Sequence, residues 1–340
     1  MNKLLLIDGN NLFHRAYHAI PHLTNKEGEA TNAVFGFSNM LIKAVSEVRP
    51  RFIACAFDTQ APTFRHIEFE KYKAQRVAPP PDLYPQLPKV KKVLDAYGIK
   101  YFEKEGFEAD DLLATLAVQA LRQTTKAKRL KPEKALDVSR SSLSVIILSG
   151  DRDVLQLVDG NIKVQAPGWN LKETTLYGAR KVKEKFGLEP HQMVDYKSLT
   201  GDPSDNVPGV LGVGPKTASS LLQKYHTLEN LFKKLAEISE PLKSKLSAGK
   251  DIALAAKKLI ELDRNVAIGI QLSELKFKPN WDQVRAEFEE LGFKSILAKL
   301  PEGNNTSEVK TPYTSEVSNS RKKSENREPK TVNQDQLELI

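Results

Sequence analysis

Apolar residues fall along this 340-residue chain in two alternating rhythms. Residues 3–8, residues 51–58 and the run Ser144-Val145-Ile146-Ile147-Leu148 are short apolar stretches that end in polar or acidic residues, and they predict buried strands. Between them, around 32–48, 86–97 and 109–123, apolar residues recur at helical spacing. Strands alternating with helices predict an α/β fold, with a mostly parallel central sheet flanked by helices. From about 186 to about 300 the pattern changes to short helices joined by Gly-rich turns, so a helical subdomain is expected to follow the 1–185 unit. The basic stretch 124–142 predicts a surface loop. The segment 301–340, rich in Ser, Thr, Asn, Glu and Lys, predicts a disordered tail.

In parallel sheets ligands bind beyond the carboxyl ends of the strands, and that rule picks out acids. Asp8 ends the first run, Asp58 ends the second and Asp151 lies just past the third. Glu108, Asp110 and Asp111 open the 109–123 helix, where the helix dipole alone would favour acids. Asp153 follows Asp151, and Asp202 and Asp205 sit in a turn after Gly201. Any one of these could be a cap or a surface charge. Nine carboxylates meeting in one place would repel each other unless cations neutralised them, so the set implies bound metal. Oxygen donors without paired His or Cys point to Mg²⁺ or Mn²⁺ rather than zinc. Two such ions about 3.5–4 Å apart can activate water, hold a phosphate and stabilise the leaving oxygen, which is phosphodiester hydrolysis.

Composition narrows the class. The net charge is +8, with 301–340 contributing −1 and the rest +9, a basic body suited to a polyanion. The single cysteine, Cys55, lies in an apolar run and predicts a buried core thiol. The N-terminal apolar run is too short for a signal peptide and no stretch is long enough to span a membrane, so a cytoplasmic, nucleoid-associated monomer is expected.

Two stretches suit a nucleic acid. Arg65, Tyr72, Lys73 and Arg76 follow the Asp58 strand, and a helix over 64–76 would gather them on one face, cations for phosphates and an aromatic for an unpaired base. Residues 207–218, with Gly209, Gly212, Gly214, Pro215, Lys216 and Thr217, read as helix, Gly-rich hairpin and helix, with a helix N-terminus able to accept a phosphate.

Leu6-Ile7-Asp8-Gly9, Phe57-Asp58, Glu108-Ala109-Asp110-Asp111, Ser149-Gly150-Asp151-Arg152-Asp153 and Gly201-Asp202-Pro203-Ser204-Asp205-Asn206 together resemble the 5′ nuclease family. This family includes the N-terminal domain of bacterial DNA polymerase I, phage 5′ exonucleases and flap endonucleases, and the likeness covers about residues 1–300. It implies a PIN-like core and a helix-hairpin-helix subdomain. It also implies two ions, the first served mainly by Asp8, Asp58, Glu108, Asp110 and Asp111, the second by Asp153, Asp202 and Asp205, with Asp151 between. Residues 63–92 would form a helical arch in which Lys73 and Arg76 position the scissile phosphate with help from Arg65, and Arg15 would contact DNA. The hairpin would grip duplex DNA and hold a K⁺ ion. His14 stands where relatives carry tyrosine.

The implied activity is 5′-3′ exonuclease and flap endonuclease cleavage of DNA, and of RNA primers paired to DNA, in replication and repair. The alternatives are a related PIN-type ribonuclease and a non-catalytic DNA-binding scaffold. No polymerase pattern follows residue 300, so the chain is either a stand-alone nuclease or the N-terminal piece of a longer protein, with a DNA polymerase as a partner in either case, and its last five residues favour the first. Gln336-Leu337-Glu338-Leu339-Ile340 resembles the peptide by which bacterial repair proteins dock on the sliding clamp, with Gln336, Leu337, Leu339 and Ile340 filling a groove.

Overall fold

The computed structural model describes residues 2–129, 143–168 and 173–301, with side chains described for all of these but 126–129. Along the chain run β1 (Asn2–Asp8), α1 (Gly9–Ala19), α2 (Asn32–Val48), β2 (Phe52–Ala56), α3 (Phe64–Glu68), α4 (Leu87–Ala96), β3 (Lys100–Phe102), α5 (Ala109–Arg129) and β4 (Leu143–Leu148). Then come β5 (Ile162–Pro167), β6 (Thr174–Tyr177), α6 (Ala179–Phe186), α7 (Met193–Thr200), α8 (Pro215–Tyr225), α9 (Leu228–Lys233), α10 (Leu242–Ala248), α11 (Lys250–Ile260), α12 (Trp281–Glu290) and α13 (Lys294–Leu297).

The strands form one sheet in the order β3-β2-β1-β4-β5-β6, parallel except for the antiparallel edge strand β6. Helices cover both faces, which is why the strands read as unbroken apolar runs. Period-two alternation sorts them. Leu5, Ile7, Ile53, Cys55, Ile146 and Leu148 enter a core with α1, α2 and α4, while Leu4, Leu6, Ala54, Ala56, Val145 and Ile147 enter one with α5. Cys55 is the buried thiol expected.

Three expectations change. α5 continues to Arg129, so the 124–142 stretch begins as helix, and residues 130–142 lie outside the described part. The helix expected over 64–76 stops at Glu68: Phe69 is extended, and Lys73 takes a left-handed φ of 54° with its N–H on the Asp205 carbonyl at 2.9 Å. The helical subdomain expected over 186–300 has its own core only from Leu188 to Ala253. From Leu262 the chain returns to the sheet. Leu262, Val266, Ile270, Leu272 and Leu275 join the α5 core, and Trp281, Val284, Phe288, Phe293 and Ile296 seal the opposite one. Among the described residues no helix is long and apolar enough to cross a membrane.

Candidate active site

β1 lies between β2 and β4, so the chain winds in opposite directions from this point and opens a crevice beyond the strand ends. Asp8 stands in that crevice as the N-cap of α1. Its Oδ1 accepts the Asn11 N–H at 3.0 Å and its Oδ2 accepts the Ser149 hydroxyl at 2.7 Å. Gly9 follows because the Phe57 ring fills the space, and a Cβ there would lie 2.3 Å from it. Asp58 is held by its neighbours: its N–H donates to Asn10 Oδ1 at 3.1 Å, and its Oδ1 accepts the Ala109 N–H at 2.6 Å. Asn11 Oδ1 accepts the Gly150 N–H at 2.8 Å, aligning the β4 end with α1. Arg15 reaches the same place, its Nη1 lying 2.9 Å from where a Gly150 Cβ would stand, and its buried Nε has no partner among the described residues.

The second group forms where the sheet meets the helical unit. Among the described residues, Asp153, Asp202 and Asp205 are the one group of three that brings an oxygen from each carboxylate within 4.8 Å of the others, an all-oxygen triad suited to a hard divalent cation. Lys197 on α7 bridges two of them, with Nζ hydrogen-bonded to Asp153 Oδ1 and, at 2.6 Å, to Asp202 Oδ2. Arg76 donates to Asp205 Oδ1 at 2.7 Å. Asp151, exposed at the mouth, accepts the Asp153 N–H at 2.7 Å.

The two groups make one continuous cluster. Tyr72 links them, its hydroxyl 3.0 Å from Glu108 Oε2 and 3.1 Å from Asp205 Oδ2, while Lys73 donates to Glu108 Oε1 at 2.6 Å. Burial pushes the Asp8 carboxyl up to about 7, the hydrogen bonds from Ser149 and Asn11 oppose it, and the Asp58 and Asp151 charges add to it. Burial also raises Asp153 to about 7, with Lys197 opposing and the Asp151 and Asp202 charges reinforcing. Asp58 is raised by burial and by Glu108, and Asp110 well above the usual range by burial, Glu108 and Asp111. Asp202 goes the other way: burial would raise it, but Lys197 and Ser204 hold it below the ordinary carboxylate value. Carboxylates buried this close together need a counter-charge, which a divalent ion between them would supply.

Two residues expected to face the substrate face inward. Arg65 is 1% exposed, its two terminal nitrogens on Asp111 at 2.7 and 2.8 Å, because α3 starts against α5 and not out over the crevice. Tyr72 is 4% exposed, its ring edge-on to His66 and its hydroxyl between two carboxylates, so it offers no free face for a base. Lys73 and Arg76 do line the seam between the two carboxylate groups. His14 contacts Tyr84 at 3.3 Å, and burial lowers its pKa.

The Gly-rich hairpin after α7 carries the acids as well as its own turn. Gly209 presses on the α7 end, where a Cβ would sit 2.2 Å from the Gly201 nitrogen, and Gly212 has a φ of +78°. Leu211, 92% exposed, tops the turn, and Gly214 caps α8 ahead of Pro215, with Lys216 exposed. Sequence reasoning missed Lys197, Asn10, Asn11 and Ser149. Asn10, Asn11 and Ser149 adjoin acids that the strand-end rule selects, whereas nothing local marks Lys197 among so many lysines.

Two family models match the chain in succession: the N-terminal resolvase-like domain of the 5′-3′ exonucleases over residues 3–187, and their C-terminal SAM fold over residues 188–283. DNA polymerase I of Bacillus subtilis is 39% identical over 302 residues, 88% of this chain and 32% of that protein. DNA polymerase I of Caldicellulosiruptor bescii is 37% identical over 302 residues, 88% of this chain and 33% of that protein. The chain therefore spans about a third of the length of the curated relatives it matches. In fold it is similar to T5 5′-exonuclease with bound divalent metal ions (zinc), with a TM-score of 0.58, 18% identity, and 88% and 96% of the two chains covered. It is likewise similar to the catalytic core of Rad2 in complex with DNA substrate, with a TM-score of 0.54, 18% identity, and 87% and 92% covered.

Proposed function

The chain belongs to the 5′-3′ exonuclease family, and from that membership and its carboxylate cluster we propose that it cleaves DNA as a 5′→3′ exonuclease and structure-specific flap endonuclease. Its substrates would be 5′ flaps, nicks, free 5′ ends and RNA primers paired to DNA. The observation that carries the reading is that Glu108, at the α5 start that Asp58 holds, meets the Asp153, Asp202 and Asp205 triad across one seam through Tyr72. The donor set fits Mg²⁺ or Mn²⁺, two ions that when bound would supply an activated water and charge to stabilise the leaving oxygen.

The chain's own residues do the rest. Asp8, Asp58, Glu108 and Asp110 would hold one ion and Asp153, Asp202 and Asp205 the other, with Asp151 at the mouth between them. Lys73 and Arg76, now paired with Glu108 and Asp205, stand where an entering phosphate would compete for them, and they orient it. Arg15, over Gly150, offers a further cation. The exposed hairpin at 209–217 would hold the duplex through backbone N–H groups and Lys216, and its carbonyls would hold a K⁺ ion. DNA-bound Rad2 and metal-bound T5 exonuclease, of like fold, support this reading.

In the cell we place the protein in the cytoplasm, on the nucleoid, as a monomer working beside a polymerase. Gln336, Leu337, Leu339 and Ile340, which lie outside the described residues, would dock on the sliding clamp. Incubation with a labelled 5′-flap duplex tests the central reading. Mg²⁺-dependent release of the flap, lost in Asp8→Ala while the duplex is still bound, is expected. A wild-type protein that binds without cutting would leave a scaffold, and cutting confined to RNA would leave a ribonuclease.

A further inference from the structure

Asp111 differs from every other acid of the cluster in having no oxygen to spare. Its Oδ1 accepts Arg65 Nη2 at 2.8 Å and the Asp263 N–H at 2.8 Å, and its Oδ2 accepts Arg65 Nη1 at 2.7 Å and the Glu108 N–H at 3.1 Å. Both partners are buried, Arg65 at 1% exposure and Asp111 at 0%. Of the remaining donors of Arg65, Nε goes to the Leu259 carbonyl at 2.6 Å and Nη2 to that of Glu261 at 3.2 Å, both in the helical unit, while Nη1 also lies 3.5 Å from Glu108 Oε2. One buried ion pair thus joins three elements: α3, which leads into Tyr72, Lys73 and Arg76; the start of α5, which carries Glu108 and Asp110; and the end of α11. α11 in turn packs with α7 through Val194, Ala256, Leu259 and Ile260, and α7 leads directly to Asp202 and Asp205.

We propose that Arg65 and Asp111 form a positioning strut, with Asp111 an anchor and not an ion ligand, that sets the distance between the duplex-holding helices and the carboxylates and so selects which phosphodiester is cut. The proposal rests on the nuclease reading above. An ion at Asp111 would have to displace at least one of the four hydrogen bonds that fill its oxygens, at a site water does not reach. The parallel two-point contact also fixes orientation as well as distance, which a lysine at position 65 could not reproduce.

The test compares full-length wild type, Asp111→Asn, Arg65→Lys and Asp110→Asn in two ways. The first is Mg²⁺-dependent thermal stabilisation, which needs no activity. Asp111→Asn and Arg65→Lys should titrate with midpoints within about twofold of wild type, whereas Asp110→Asn should need on the order of 10-fold more ion or greater. The second is the cut position on a 5′-flap duplex at nucleotide resolution. Arg65→Lys and Asp111→Asn should spread cleavage over neighbouring phosphodiesters, and the double variant should be no worse than either single, as for two members of one contact. If Asp111→Asn does not fold, Arg65→Lys carries both measurements. An Asp111→Asn midpoint shifted as far as that of Asp110→Asn would make Asp111 a ligand and overturn the proposal, as would cutting at the single wild-type position in the folded variants. If wild type itself does not cut, the nuclease reading fails, and the thermal titration still decides whether Asp111 is a ligand.

Discussion

The carboxylates at the strand ends and those on the α7–α8 turn hold charge in different ways. Asp8 and Asp58 are fixed by the sheet: each caps or receives a backbone N–H from the element next to it, and Ser149, Asn10 and Asn11 fasten the arrangement. Asp153, Asp202 and Asp205 come together only because the helical unit docks on the sheet, and Lys197 and Arg76 neutralise them across that junction. The first group is therefore built by the fold of one unit, and the second by the fit between two. Damage to the first should remove chemistry, whereas damage to the second should weaken ion binding and docking before chemistry.

The largest effect should come from Asp8→Ala, which takes a charge from the centre of the crevice and a cap from α1. Turnover on a flap duplex should fall on the order of 1,000-fold whatever the divalent ion concentration, and recovery at high Mg²⁺ would erase the distinction between the groups. Asp202→Asn should keep more activity but need about 10- to 100-fold more ion for half-maximal rate. Gly209→Ala forces a Cβ onto the Gly201 backbone and should cost about 1–3 kcal/mol, read in thermal melts. Its ion requirement should rise as well, because the turn bearing Asp202 and Asp205 shifts.

The smallest effect is on pH dependence. Burial lifts Asp8 and Asp153 from 3.8 to about 7, so without divalent ions the folded protein holds these protons more tightly than the unfolded chain. Their contribution to stability is greatest at low pH and falls as pH rises from about 4 to about 7. Melts in EDTA should show this decline, Mg²⁺ at neutral pH should reverse it, and Asp8→Asn and Asp153→Asn should each remove one part. A melting temperature independent of Mg²⁺ at neutral pH would contradict the burial argument.

The strand-end rule made Asp8, Asp58 and Asp151 legible in the sequence because period-two runs reveal a parallel sheet, and a parallel sheet says where its ligands go. The inward turn of Arg65 and Tyr72 was hidden. A basic stretch with aromatics has the same composition whether it crosses a crevice or plugs it, and only the left-handed turn at Lys73, which no local pattern demands, distinguishes the two. Where the last helices pack was hidden for a similar reason: the short apolar helices 281–290 and 294–297 look alike whether they pack on α8 or on α2 and α4.

That last packing bears on how the protein can be trimmed in the laboratory. Because Trp281, Phe288 and Ile296 lie over one face of the sheet and Leu262 to Leu275 over the other, a fragment ending near residue 187 would expose a wide oily surface on both sides and should precipitate. The shortest piece worth expressing reaches Leu300.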